Sequence, residues 1–299
     1  MTEQQVHLPS GIDLCYEAFG APTDPTILLV MGLGGPMTWW STPFCTNLAG
    51  RGFQVVRYDN RDTGRSSKIR TARRVTRSQV ISAFFGARKY TPYHLDDLAE
   101  DAFGLLDHLD TEQAHLVGVS MGGMIAQTMA IARSDRVLSL TSMLSTTGRR
   151  SVGWQDPRLL PMLLGPSRRN REEYVAGSFR IARAIGSPGY PPDRDELRRH
   201  AEETYDRGWS ASGVVRQMLA IMAQPDRTPA LHRLDLPTLV IHGLSDRLVN
   251  TSGGRATAQA IPGAELVLVP GMGHDLPAAL DDTFCDAIVR TVRRASVRA

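Results

Sequence analysis

A doubly wound, mostly parallel α/β sheet interrupted by a helical insertion is the architecture this sequence predicts, on three observations. Apolar runs alternate with helical patterns through the first half of the chain, and the same regime returns after residue 236. Between them, residues 146–228 carry short helical patterns and seven prolines but no run of the strand type. The division is therefore a core of residues 1–145 and 229–299, with residues 146–228 inserted as a cap over the carboxyl edge of the sheet. A chain of 299 residues, 42% hydrophobic and 22% charged, is long enough for one large core.

In chain order, the segments 6–8 and 12–19 flank Pro9-Ser10-Gly11 and predict an edge hairpin, with Ile12, Leu14 and Tyr16 alternating against polar neighbours. Thr26-Ile27-Leu28-Leu29-Val30-Met31 is unbroken and apolar, as expected of a strand buried on both faces. A helix over 37–51 and a strand over 53–58 follow. Asp59-Asn60-Arg61-Asp62-Thr63-Gly64-Arg65-Ser66 then reads as a turn stitched by Asp and Ser side chains rather than as a catalytic group.

Residues 65–89 carry Arg65, Lys68, Arg70, Arg73, Arg74, Arg77, Arg88 and Lys89 with no acidic residue, alongside Val75, Val80, Ile81, Phe84 and Phe85. Such a stretch suits an anionic membrane, an acidic substrate or a solvated face whose aromatics pack on the domain, and the solvated face is favoured because one short stretch binds a surface only weakly. Thr91-Pro92 predicts the cap and first turn of the next helix. Its apolar stripe is Leu95, Leu98, Ala102, Leu105, Leu106 and Leu109, with Asp96, Asp97, Glu100 and Asp101 facing water near the positive helix end.

The chemistry centres on Gly118-Val119-Ser120-Met121-Gly122, where a buried strand turns abruptly into a helix. This is the G-x-S-x-G nucleophile elbow, in which a strained serine is pushed out of the turn and glycines on either side avoid a clash. A second strand, ending near Ser145, completes the first half. In the insertion, Trp154, Met162, Trp209 and Met218 are candidates to line an apolar pocket, although most such residues serve the insertion's own core.

Two late strands end in polar loops, one at His242-Gly243-Leu244-Ser245-Asp246 and one at Pro270-Gly271-Met272-Gly273-His274. In a parallel sheet these ends lie along one edge with Ser120. The order Ser120, Asp246, His274 fits a triad in which His274 takes the serine proton and Asp246 holds the imidazole. Asp156 and Asp275 are weaker candidates for the acid, the first too distant and the second aimed elsewhere. Gly32-Leu33-Gly34-Gly35-Pro36 fails as a dinucleotide fingerprint because Pro36 and Met37 interrupt it. It suits an oxyanion loop, with the Leu33 and Met121 N–H groups as donors.

The three motifs Gly118-Val119-Ser120-Met121-Gly122-Gly123, Arg61-Asp62-Thr63-Gly64-Arg65-Ser66 and Pro270-Gly271-Met272-Gly273-His274 resemble those of the α/β-hydrolase superfamily. Within it they are similar to bacterial carboxylesterases and lipases related to the aclacinomycin methylesterases. The resemblance implies hydrolysis of a small-molecule carboxylic ester with no metal and no organic cofactor. One departure is Met31-Gly32 where many members carry His-Gly, which keeps the backbone donor and loses a histidine side chain.

Other readings stand beside the esterase. The same triad serves thioesters, lactones or carbon–carbon bonds, and a non-catalytic binding protein or a peripheral membrane lipase would use the same fold. Epoxide and haloalkane hydrolysis need a carboxylate where Ser120 stands. With 34 basic against 31 acidic residues the balance excludes a nucleic-acid binder. Three widely spaced cysteines and a start, Met1-Thr2-Glu3-Gln4-Gln5, without signal-peptide character predict a soluble, cytoplasmic protein.

Overall fold

Residues 2–69, 82–83, 86–159 and 170–296 are described by the computed structural model of the chain. Eight strands form one sheet: β1 (Gln4–His7), β2 (Asp13–Phe19), β3 (Thr26–Val30), β4 (Gln54–Tyr58), β5 (Ala114–Val119), β6 (Val137–Met143), β7 (Thr238–Gly243) and β8 (Glu265–Val269). Their spatial order is β1-β2-β4-β3-β5-β6-β7-β8. The hairpin β1–β2 is antiparallel and so is β2–β4, whereas every later pairing is parallel.

The unbroken apolar strands follow from burial on both faces. Along β3, Leu28 and Val30 pack into one core with Leu98 and Phe103, while Ile27 and Leu29 pack into a second with Phe44 and Ile288. This is the two-residue alternation of a strand with helices above and below it. Full burial of each such side chain contributes about 1.5–3 kcal/mol. The covering helices are α1 (Thr42–Ala49), α2 (Leu95–His108), α3 (Met121–Ala132), α8 (Ser252–Ala260) and α9 (Asp281–Ser296). Between β6 and β7 lie α4 (Arg171–Ile185), α5 (Arg194–Asp206), α6 (Ala211–Met222) and the single turn α7 (Thr228–Leu231), with no strand among the described residues.

Several local expectations are corrected. The helix expected over 37–51 is a 3₁₀ turn, Met37–Trp39, followed by α1. The Ser41 hydroxyl accepts from Phe44 N–H at 3.1 Å and restarts the helix, with Pro43 in its first turn. Thr91 does not cap α2. Its hydroxyl contacts His94 Nδ1 at 2.8 Å, and His94 N–H donates to Asp97 Oδ2 at 2.7 Å, so the helix begins three residues later.

Asp101 does not face water. It is 1% exposed and takes a bidentate pair from Arg61, Nε at 2.6 Å and Nη2 at 2.7 Å. Nor does β2 expose alternate residues, since Leu14, Cys15 and Tyr16 are all buried. Arg207 reaches down from the insertion to within 3.6 Å of the Cys15 sulfur and covers that face.

Of the basic stretch, 70–81, 84 and 85 lie outside the described residues, as does Met162. Arg65 pairs with Glu3 and Arg88 with Asp96, while Lys68 donates to the carbonyls of Gly64 and Ser66. Among the described residues no helix is long and apolar enough to cross a membrane.

Candidate active site

The turn from β5 into α3 shows why its sequence is so constrained. Ser120 has φ 57° and ψ −119°, a conformation that L residues rarely adopt. Holding it there requires the strand and helix backbones to touch. A Cβ on Gly118 would stand 2.2 Å from the Gly122 carbonyl oxygen, and one on Gly122 would stand 2.0 Å from that of Val30. The neighbouring strand β6 and the loop after it clamp the turn as well, since Ser120 N–H donates to Met143 O at 2.8 Å and Ser145 Oγ donates to Ser120 O at 2.8 Å.

His274 and Asp246 arrive from the carboxyl ends of β8 and β7. His274 Nε2 lies 2.9 Å from Ser120 Oγ, and its Nδ1 lies 2.7 Å from Asp246 Oδ2. The carboxylate fixes the tautomer: Nδ1 carries the proton and donates, which leaves Nε2 as the acceptor for the serine hydroxyl. Asp246 Oδ1 accepts from the N–H groups of Leu248 and Val249, both at 2.9 Å. Burial raises the Asp246 carboxyl, but the neighbouring His274 and the hydrogen bonds from His242 and His274 outweigh it and hold the group well below the usual carboxylate range.

Behind Asp246 sits His242, fully buried, with Nε2 2.8 Å from Val249 O and 3.3 Å from Asp246 Oδ2. A carbonyl only accepts, so the His242 proton is on Nε2 and both oxygens share it. The two weaker acids are occupied elsewhere. Asp156 pairs at the surface with Arg247 at 2.8 Å, and Asp275 accepts from the N–H and hydroxyl of Ser187.

The loop after β3 runs directly beside the serine, where a Cβ on Gly32 would stand 3.1 Å from Ser120 Cβ and 3.7 Å from its Oγ. Gly35 N–H closes a turn onto Gly32 O at 3.2 Å, with Leu33 and Gly34 at its centre and Gly34 at φ 66°. Met121 opens α3, so its N–H has no partner within the helix. Met121 thus adjoins Ser120 in the chain, and Leu33 directly follows the Gly32 that approaches the Ser120 side chain. Among the described residues no group of three or more His, Cys, Asp or Glu side chains is placed to hold a metal ion.

This geometry accords with the matches to known proteins. A family defined by the alpha/beta hydrolase fold matches residues 25–182. The chain belongs to that family. Among curated proteins, this α/β-hydrolase is 32% identical over 310 residues to rhodomycin D methylesterase DauP of Streptomyces sp. (strain C5), covering 96% of this chain and 97% of that protein. It is 30% identical over 306 residues to the rhodomycin D methylesterase DnrP of Streptomyces peucetius, with the same coverage. Among solved structures, the enol-lactonase from Burkholderia xenovorans LB400 superposes with a TM-score of 0.75 at 23% identity. That match covers 97% of this chain and 100% of the other.

The remaining site residues expected in the hydrolase sort by where the insertion packs. Trp209 packs at a tilt against Tyr174 and stacks on Tyr205, ring centres 4.9 and 6.0 Å away, inside the cluster formed between β6 and β7. Trp154 is 55% exposed and Met218 is half-buried on α6. Sequence reasoning missed a set of polar residues joining the insertion to the sheet. Arg207 binds Asp59 (Nη2–Oδ2 2.9 Å), Arg216 binds Asp62 (2.6 and 2.8 Å), and Trp39 Nε1 donates to Thr204 Oγ1 at 2.9 Å. At the base loop, His274 N–H donates to Ile185 O at 2.7 Å and Gly273 N–H to Ser187 Oγ at 2.8 Å. The one available signal was the polar pair Arg216-Gln217, which interrupts the otherwise apolar run of α6.

Proposed function

We propose that this α/β-hydrolase is a serine esterase acting on a small-molecule carboxylic ester, with Ser120 as nucleophile, His274 as general base and acid, and Asp246 as its orienting partner. The observation that carries the reading is the continuous relay Ser120 Oγ–His274 Nε2 at 2.9 Å and His274 Nδ1–Asp246 Oδ2 at 2.7 Å. His274 withdraws the serine proton as Oγ attacks the ester carbonyl. The Leu33 and Met121 N–H groups receive the oxyanion, the protonated imidazole returns its proton to the departing alcohol, and water repeats the cycle on the acyl-enzyme. Full-length similarity to methylesterases supports an ester of a small alcohol as the first substrate to try.

On this reading residues 146–228 form a cap, supported by its contacts with the loops that follow β3, β4 and β8, all at the carboxyl edge. Three unpaired cysteines support a reducing, cytoplasmic setting. A fluorophosphonate probe is expected to label the protein once, at Ser120. Ser120→Ala is expected to abolish labelling and to lower kcat for p-nitrophenyl esters by about 10³-fold or more. Undiminished turnover in Ser120→Ala overturns the assignment. A panel of esters, thioesters and lactones compared by kcat/KM identifies the bond, and turnover confined to lactones would replace the esterase reading.

A further inference from the structure

Gln217 is completely buried on α6, and its amide bonds two loops at the carboxyl edge of the sheet, one of which is the loop after β3 that passes Ser120. Its Oε1 accepts from Gly34 N–H at 2.8 Å. Its Nε2 donates to Arg61 O and to Thr63 Oγ1, both at 2.9 Å, which uses both amide protons. The amide plane is therefore fixed at three points, two on the loop after β4 and one on the turn after β3. That turn is the one containing Leu33. Because Gly34 follows Leu33 directly, anchoring the Gly34 N–H restricts the torsions that aim the Leu33 N–H.

One further contact presses α6 onto the same turn and another ties it to the loop after β4. Val214 packs so closely that a Cβ on Gly34 would stand 2.8 Å from its Cγ2, and the Arg216–Asp62 pair holds the same stretch of helix down. Glycine at φ 66° is the most pliable residue available, so without an external anchor this turn would have several accessible conformations.

We propose that Gln217 is a positioning residue: from the insertion it holds the turn 32–35 so that the Leu33 N–H meets the oxyanion formed at Ser120. The inference rests on the serine esterase reading above. It gives the insertion a part in transition-state stabilisation in addition to substrate selection. Preorganised donors act only if they are already aimed when charge develops, so a loosened turn costs kcat and leaves ground-state binding untouched.

The test compares the wild-type protein with Gln217→Met, which keeps length and bulk but removes the acceptor and both donors. kcat is expressed per active site titrated with a fluorophosphonate, which removes any contribution from misfolded protein. We expect kcat to fall about 10- to 100-fold with KM within about 2-fold, a part of the loss seen when an oxyanion donor is removed outright. The factor should be the same for p-nitrophenyl acetate, too short to reach the insertion, and for longer acyl chains. A residue that contacted substrate would instead raise KM and spare the acetate.

Should Gln217→Met not accumulate, Thr63→Val removes one of the two acceptors on the sheet side. It is expected to lower kcat about 3- to 10-fold, again uniformly. Unchanged kcat per titrated site in whichever variant folds, or a loss confined to long acyl chains, overturns the proposal. If the wild-type protein neither labels nor turns over esters, the Ser120 reading fails and this one with it. An active wild type matched by its variants refutes Gln217 alone.

Discussion

Asp246 accepts hydrogen bonds from two backbone N–H groups and two imidazoles, so its charge is anchored from four directions before any substrate arrives. Its folded-state titration lies below its unfolded one, which makes the ionised form a source of stability. That contribution is complete above the ordinary carboxylate range and is lost only as the pH falls through the folded value. Asp246→Asn should therefore lower the thermal midpoint by an amount that is constant from about pH 8 to pH 5 and shrinks below about pH 4. The same variant presents His274 with an amide instead of a carboxylate, and kcat is expected to fall about 10⁴-fold. A pH-independent midpoint difference down to pH 3 would contradict the assigned direction.

At the scale of elements, α9 carries a second, opposite dependence. Asp281 starts this helix, and burial, with the adjacent Asp282, pushes its carboxyl up to about 6 despite a hydrogen bond from Ser41. A folded value above the unfolded one means that the native state holds the proton more tightly, so stability falls as pH rises from about 4 to about 6. Asp281→Asn is expected to raise the midpoint of thermal unfolding at pH 7 and to have little effect near pH 4. Equal effects at the two pH values would show that the shift is absent.

Elements were also where the sequence was most readable. Continuous apolar runs identified β3, β5 and β7 because both faces of each are buried, and the elbow glycines were readable because only a hydrogen atom fits between the Gly118 and Gly122 backbones. Ser120, Asp246 and His274 stood out because each follows the carboxyl end of a strand, β5, β7 and β8 in turn. Helix starts were less accessible. Thr91 and His94 can both cap, and the choice between them depends on where α2 meets its neighbours rather than on local preference. Least readable were Arg207, Arg216, Gln217 and Asp101, since a polar residue whose partner is distant in sequence has the local appearance of a solvated one.

Across the whole molecule, those same residues decide how the insertion and the sheet behave as a pair. Asp62 is fully buried and takes Arg216, the Tyr93 hydroxyl at 2.7 Å and Ile69 N–H at 2.8 Å. Arg216→Met would strand that carboxylate in the interior, a change worth about 3–5 kcal/mol. Because Arg207–Asp59 and the Ile185 and Ser187 contacts bind the same two parts, the expected result is one cooperative transition at lower temperature. Two resolved transitions in calorimetry would mean that the insertion melts independently.

The three cysteines have a practical consequence. Cys15, Cys45 and Cys285 are all free, all buried, and burial pushes each thiol up to about 12. Near neutrality only about one thiol in 10⁵ is ionised, and thiolate is the form that alkylating agents and peroxides attack. The folded protein is therefore expected to react far more slowly with maleimides than the unfolded chain does, which labelling with and without denaturant checks. A single cysteine introduced on α5 or α6 would accept a fluorescent dye alone, making movement of the insertion visible in solution without removing any native residue.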